Sequence, residues 1–320
     1  MYEFPNSKAV IRHGRKRIVE YDYTPATHRV KEAIFKEVKN YGIEKCCLVF
    51  RSRWFMAENF YKGALDGLES LKERTHIICN DQKEYQEHIN RGYKAVLLNV
   101  GCLRNEERFR IIPSEKSYDL VFNSRIKAYK RPELLSEASK QLSLLIITRE
   151  VKDAELIKDL EYKKLLTNIT VPEIPPRLNQ AKVGVILSAI EGSCQASAEY
   201  LLCGLPVVST KSLGGRSDFY DESNSIICGD SPEEVRDACL EMVRRVDFGE
   251  VSAETIRNGF IEKARVRRDN LRDFFGTILK LLDIDVSADL FFKKAIYNVR
   301  KRDIPSDHTF RSGDLSHIIK

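Results

Sequence analysis

No stretch of this chain approaches the roughly 20 consecutive apolar residues that a membrane-spanning helix needs, so no such helix is expected. The first residues, Met1-Tyr-Glu-Phe-Pro5, show neither the charged nor the apolar region of a secretory signal. The eight cysteines (46, 47, 79, 102, 194, 203, 228 and 239) include no C-x-x-C pair. Most stand beside aliphatic residues in strand or helix patterns. They read as reduced, small, buried hydrophobes of a cytosolic protein rather than as disulfides or zinc ligands. No helix-turn-helix, zinc-finger or aromatic RNA-binding signature is present, so nucleic acid is not an expected partner. Internal repeats and low-complexity tracts are also missing.

What is present is ordinary in bulk and specific in detail. Over 320 residues, 42% are hydrophobic and 31% charged, which describes a globular protein with a sizeable core and one large or two ordinary domains. Strand and helix signals alternate, the pattern of an α/β chain with mostly parallel sheets. In the first third, helices are expected over 30–40, 57–73 and 82–90, and strands over 46–50, 76–79 and 95–99. Residues 103–118 are polar and read as a linker. A second series follows: strands over 120–123, 142–148, 183–187, 205–209 and 225–228. Helices are expected over 132–140, 154–166 and 195–203, and from Pro232 onward behind the capping signal Ser231-Pro-Glu-Glu234. The resulting division is 1–115, 116–254 and a helical segment 255–320. The apolar content of 271–282 and 291–299 requires burial, so part of that last segment is expected to pack on residues 1–115.

The net charge is +6, unevenly placed. Cations cluster at Lys8, Arg12, Arg15, Lys16 and Arg17, at Arg265, Arg267 and Arg268, and at Lys293, Lys294, Arg300, Lys301 and Arg302. In the last cluster Phe292, Ile296 and Val299 share one face of a helix. Two uses compete for that face: contact with an anionic membrane surface, or packing inside the protein.

The most informative stretch is Glu191-Gly-Ser-Cys-Gln-Ala-Ser-Ala-Glu199, followed by Gly204-Leu-Pro206-Val-Val. Apolar segments stand before and after it, so it reads as strand, tight loop, helix, strand. Such a junction turns backbone N–H groups and the positive end of a helix toward an anion. Gly192 lies on the loop, and Ser193 is the expected N-cap. That cap leaves the N–H groups of Cys194 and Gln195 available to phosphate or a sugar hydroxyl. Glu199, about a turn and a half into the helix, can accept from two adjacent hydroxyls. Glu191, before the cap, can meet a sugar. Upstream, Arg125 and Lys130 lie on another strand-to-helix loop, where cations can neutralise a departing diphosphate. The glycines of Gly214-Gly-Arg216 permit positive φ and close backbone approach. Asp283-Ile-Asp285 looks like a metal-binding D-x-D but reads as a helix end with surface acids.

In their order and spacing, Asn123-Ser-Arg125 with Lys130, Glu191 to Glu199, Gly204-Leu-Pro206-Val-Val and Gly214-Gly215 resemble the C-terminal half of a family 4 glycosyltransferase, a retaining type (glycosyl transferases group 1). The resemblance covers residues 120–245 and continues faintly over 76–109. It implies the GT-B fold, two Rossmann-like domains with a cleft between them, here with a reduced N-terminal domain. It implies transfer of a sugar from a nucleotide-sugar donor to a hydroxyl of a glycan or lipid-linked glycan acceptor. Arg125, Lys130 and Glu191 would be the catalytic group, and Gly192, Ser193, Cys194, Gln195 and Glu199 would hold the donor. By position, residues 168–176 would face the nucleobase. Cofactors and metals are not expected, and the location would be cytoplasmic, at most peripheral to the inner membrane face. Two other readings share the fold: a non-catalytic nucleotide-sugar-binding subunit, and a sugar-nucleotide epimerase.

Overall fold

A computed structural model describes residues 8–23, 28–52, 69–297 and 313–315. The fold divides into two compact units. One comprises residues 1–99 and 266–320, the other residues 100–265. Among the described residues, no helix is long and apolar enough to cross a membrane.

The first unit opens with a hairpin, β1 (Lys8–His13) and β2 (Lys16–Tyr23), paired antiparallel from Lys8↔Tyr21 to His13↔Lys16. Gly14 turns it with φ +57°, the left-handed backbone that a two-residue hairpin loop needs. Helix α1 (His28–Tyr41) leads to β3 (Cys46–Ser52), β4 (Thr75–Cys79), α2 (Gln82–Asn90) and β5 (Lys94–Leu97). The expected helix over 57–73 lies outside the described residues up to 68, and 69–74 is a short 3-10 turn.

The second unit holds β6 (Tyr118–Asn123), α3 (Ser136–Ser139), β7 (Leu144–Thr148) and β8 (Lys164–Thr167). It continues through α4 (Ile174–Asn179), β9 (Ala181–Ile186), α5 (Gln195–Leu202), β10 (Val207–Thr210), β11 (Ser225–Cys228) and α6 (Pro232–Asp247). Helix α7 (Ala253–Leu281) starts in this unit and ends in the first, which it completes with α8 (Ala288–Phe291) and β12 (Gly313–Asp314).

The second sheet is parallel throughout, in the order β11-β10-β9-β6-β7-β8. Counted within the unit, that is the Rossmann order, with its topological switch between β6 and β9. Its inner strands are buried on both faces, and its edge strands β8 and β11 are half-exposed. Leu120, Phe122, Leu144, Ile146, Val183 and Val185 pack against Ala138, Val235 and Met242, as aliphatic runs in a parallel sheet require. Two sequence expectations fail here. The span 154–166 is not a helix: it is a short 3-10 turn followed by β8, an edge strand paired with β7. The polar stretch 103–118 is not a free linker. Phe109 is fully buried, and the Arg257 guanidinium donates to the carbonyls of Phe109 (2.7 Å) and Glu106 (2.7 Å).

The first sheet runs β12-β1-β2-β3-β4-β5. Val10, Val19, Leu48, Phe50 and Ile77 form its core with Ile34, Leu71 and Tyr93. The end of α7 is fixed within this unit. Arg74 donates to the Leu281 carbonyl (3.1 Å), and Asp283 follows with φ +49°. Asp283-Ile-Asp285 is therefore a helix end, with the Asp283 carboxylate fully exposed and 3.3 Å from Lys16 Nζ. At the end of α8 and just past it, Phe291, Ala295 and Ile296 are buried, and Phe291 packs against Phe275 with ring centroids 5.4 Å apart. Ile296, on the apolar side of this basic segment, is thus used in packing, while Phe292 stays half-buried. Val299 and the cations from Arg300 to Arg302 lie outside the described residues.

His76 on β4 gives this unit an acid-sensitive point. It is fully buried, edge-on to Phe274 at 5.6 Å. Burial, then the charge of Lys94, lowers its pKa from 6.5 to about 4, and the charge of Arg74 adds to the lowering. A depressed pKa means the native state carries the neutral ring, so this contribution is complete above the unfolded pKa and is lost as pH falls. Between pH 6.5 and 4 the loss reaches about 3 kcal/mol. Melting temperature should therefore drop steeply across this window in the wild type and less steeply in His76→Gln. Equal slopes would contradict the assignment.

Candidate active site

The switch point places two loops side by side: one after β6, carrying residues 124–131, and one after β9, carrying residues 187–194. In open α/β sheets ligands bind outside the carboxyl ends of strands at such a point. The expected site residues come from these two loops and from α5.

Lys130 and Glu191 meet. Lys130 Nζ lies 2.5 Å from Glu191 Oε1, with side-chain exposures of 14% and 13%. Ser188 Oγ donates to the other carboxylate oxygen at 2.5 Å. Glu191 is also held by its backbone, whose N–H donates to the Leu213 carbonyl (2.9 Å), and Ile190 bridges to Leu213. Gly214 makes this close approach feasible. Its φ is +100°, and a Cβ there would collide with the Glu191 carbonyl oxygen. Ile190 and Leu213, both exposed, form an apolar rim beside the carboxylate.

Helix α5 begins at Gln195 with Cys194, not Ser193, as its N-cap, and no side chain caps it. The Ser193 hydroxyl instead accepts from the Val100 N–H at 3.3 Å. The N-cap place is therefore taken by a thiol, a weak acceptor, which the Ser197 N–H approaches, while the N–H groups of Gln195 and Ala196 precede that contact. Cys194 is buried, its thiol pushed up to about 12 by burial and then by Glu191. Gly192 is buried and Gln195 exposed.

Glu199 is 4% exposed and accepts from two side chains that sequence reasoning did not assign. Arg104 donates to Oε1, and Asn123 Nδ2 donates to Oε2 at 2.8 Å. Burial raises the carboxyl's pKa; the Arg104 charge, the Arg104 hydrogen bond and that of Asn123 oppose it. Arg104 also lies 4.8 Å from the Phe109 ring centroid. Next along α5, the buried Tyr200 hydroxyl donates to the Val121 carbonyl (3.1 Å) and accepts from the Asn123 N–H (2.7 Å). The end of β6 is thereby tied to the helix that carries Glu199.

The cations after β6 separate by role. Arg131, with φ +50°, bonds the Leu187 carbonyl (2.6 Å), the Thr210 hydroxyl (2.7 Å) and Asp230 (3.1 Å), clamping the ends of β9 and β10. Lys127 pairs with Asp153 (2.8 Å). Arg125 is exposed, and no described contact joins it to Lys130 or Glu191. Arg216 is a further residue that sequence reasoning passed over. It is 1% exposed and donates to the carbonyls of Ser188 and Thr210 and to the Ser188 hydroxyl (3.1 Å). The hydroxyl that holds Glu191 is itself held by a buried guanidinium.

Residues 118–245 match the family model described as glycosyl transferases group 1. Solved structures extend the likeness over both units. TarM of S. aureus, solved with fondaparinux, alpha-GlcNAc-glycerol and UDP, is 16% identical with a TM-score of 0.59, over 76% of this chain and 53% of its own. Sucrose-phosphate synthase of Thermosynechococcus elongatus is 13% identical with a TM-score of 0.60, over 84% and 74%. HepE of Anabaena, solved with UDP, is 14% identical with a TM-score of 0.55, over 80% and 82%. The fold is GT-B. The chain spans about half the length of TarM. No curated protein matches its sequence.

Proposed function

We propose that this protein is a retaining glycosyltransferase of family 4, with a shortened N-terminal domain, that moves a sugar from a nucleotide-sugar to a hydroxyl of a glycan or lipid-linked glycan. The observation that carries the reading is the half-enclosed Lys130–Glu191 pair beside the start of α5, at the switch point of a Rossmann-ordered sheet. A carboxylate for sugar hydroxyls, a cation for diphosphate and the positive end of a helix lie together there.

In the reaction, the bond from the anomeric carbon to the diphosphate oxygen breaks, and a bond to the acceptor oxygen forms on the same face. The acceptor's proton passes to the departing diphosphate. Lys130, the first N–H groups of α5 and the exposed Arg125 balance the charge that grows on that diphosphate. Glu191, fixed by Ser188 and Lys130, accepts from hydroxyls of the transferred sugar. Glu199 accepts from the ribose hydroxyls, sharing its oxygens with Asn123 and Arg104. No side chain acts as nucleophile, and no step uses a metal.

UDP in the structures of TarM and HepE makes a uridine nucleotide the first donor to test. In a thermal-shift panel of UDP, GDP, ADP and CMP, one nucleoside diphosphate should raise the melting temperature with concentration, since a ligand of the native state stabilises by mass action. Replacing Glu199 with Ala should remove that shift. A panel in which no nucleotide stabilises the protein would contradict the donor site.

A further inference from the structure

Strand β4 ends at Cys79, and helix α2 starts three residues later behind Asp81, its N-cap. Glu84 and His88 stand four residues apart on α2 and so share a face. The Cys79 sulfur, a carboxylate oxygen of Glu84 and a ring nitrogen of His88 all lie within 4.8 Å of one another. All three residues are buried, at 0%, 5% and 1% exposure. Helix capping explains part of this arrangement. Asp81 Oδ1 accepts from the Glu84 N–H (3.0 Å), and Glu84 Oε2 accepts from the Asn80 N–H (2.8 Å). Capping does not explain why a thiol and an imidazole converge on the same carboxylate. Nor does it account for Asp81 Oδ2, a buried oxygen with no hydrogen-bond partner among the described residues. An oxygen in that state is costly unless something pairs with it.

We propose that Cys79, Glu84 and His88 form a binding site for one divalent transition metal ion of the zinc type, which staples β4 to α2, with the unpaired Asp81 oxygen on the turn between those elements as a further acidic group. One sulfur, one nitrogen and one carboxylate oxygen, with a fourth place left for water, make a donor set for zinc or cobalt rather than for calcium or magnesium, which take oxygen alone. Zinc bonds of about 2.0–2.3 Å place tetrahedral donors about 3.3–3.8 Å apart, so donors that already lie within 4.8 Å of one another need to close by at most about 1–1.5 Å on loading. Cys79 gives up its thiol proton to solvent as the ion binds. The ion's two positive charges then face the new thiolate and the Glu84 carboxylate. The site belongs to the first unit and plays no part in the proposed transfer.

The test uses the purified full-length chain, stripped with a chelator and titrated with Co²⁺. The wild type should bind one Co²⁺ with a near-ultraviolet thiolate-to-cobalt charge-transfer band, and Zn²⁺ should displace it. The band should vanish in Cys79→Ser. It should persist in Cys239→Ser, which alters an equally buried thiol on α6 of the other unit. Because Cys79→Ser replaces a core residue, a second measurement stands beside it. Zn²⁺ should raise the melting temperature of the wild type with concentration, and that shift should be lost in His88→Gln. A wild type without the band, a band that survives in folded Cys79→Ser or is lost in folded Cys239→Ser, or an equal Zn²⁺ shift in wild type and His88→Gln would each overturn the proposal.

Discussion

Replacing Lys130 with Ala, or Glu191 with Gln, should lower donor turnover by about 100- to 1,000-fold, the usual cost of removing one preorganised charge from an active site. The two side chains are 2.5 Å apart and mostly shielded from water, so each sets the field that the other feels. In Lys130→Ala the diphosphate loses the cation that balances it as it departs, and kcat should fall more than KM rises. In Glu191→Gln the shape is kept and the charge is lost, and sugar hydroxyls lose a charged acceptor. Breaking a buried pair also destabilises, by about 3–5 kcal/mol when burial is complete, and by less here because both groups keep some exposure. Melting curves and nucleotide binding therefore accompany the rate measurements. A folded variant of either kind that binds nucleotide and turns over at the wild-type rate would remove this pair from the mechanism.

Arg216→Ala should be the most damaging single change to the second unit. The guanidinium bridges the ends of β9 and β10 through the carbonyls of Ser188 and Thr210, and neither Arg216 nor Ser188 is reached by water. Removing it strands the Ser188 carbonyl, worth about 1–3 kcal/mol once buried and unpaired, leaves the Thr210 carbonyl with only the Ser209 hydroxyl (3.2 Å), and leaves a cavity as well. The expected loss is about 3–5 kcal/mol, a fall in melting temperature of about 10 °C for a unit of this size. Because Ser188 Oγ also donates to Glu191, residual turnover of the folded fraction should drop too. Arg216→Lys keeps the charge but not the planar fork, so it should recover only part of the stability. A melting temperature within about 2 °C of wild type in Arg216→Ala would show that the latch carries no weight.

The second unit was largely legible in the sequence, because a parallel sheet buried on both faces writes its strands as aliphatic runs. β6, β7, β9 and β10 stand close to where such runs place them, and the Ser231–Glu234 capping box opens α6 as expected. β8 was not legible. Lys164-Leu-Leu-Thr167 is a half-exposed edge strand, and the leucines before it continue a helical period, so only pairing with β7 decides its state. The first hairpin was hidden differently. Its cations draw attention to charge, while the pairs Val10 and Val19 on one face and Ile11 and Ile18 on the other are all buried. At the site, loop and helix positions could be read, but partners could not. Arg104 meets Glu199 across 95 residues of chain, and no local pattern encodes such a pair. Ser193 was a good cap by residue type, yet the turn after Glu191 gives that place to Cys194 and turns the hydroxyl to Val100.

The most direct test of the central claim is to incubate the purified protein with the nucleotide-sugar whose diphosphate stabilises it and a panel of glycan and lipid-linked acceptors, and to follow the anomeric proton by NMR. The account predicts release of one nucleoside diphosphate per glycosidic bond formed, in a product of the same anomeric configuration as the donor, lost in Lys130→Ala and Glu191→Gln. A product of inverted configuration, an altered donor sugar without release of diphosphate, or binding without turnover on any acceptor would contradict it.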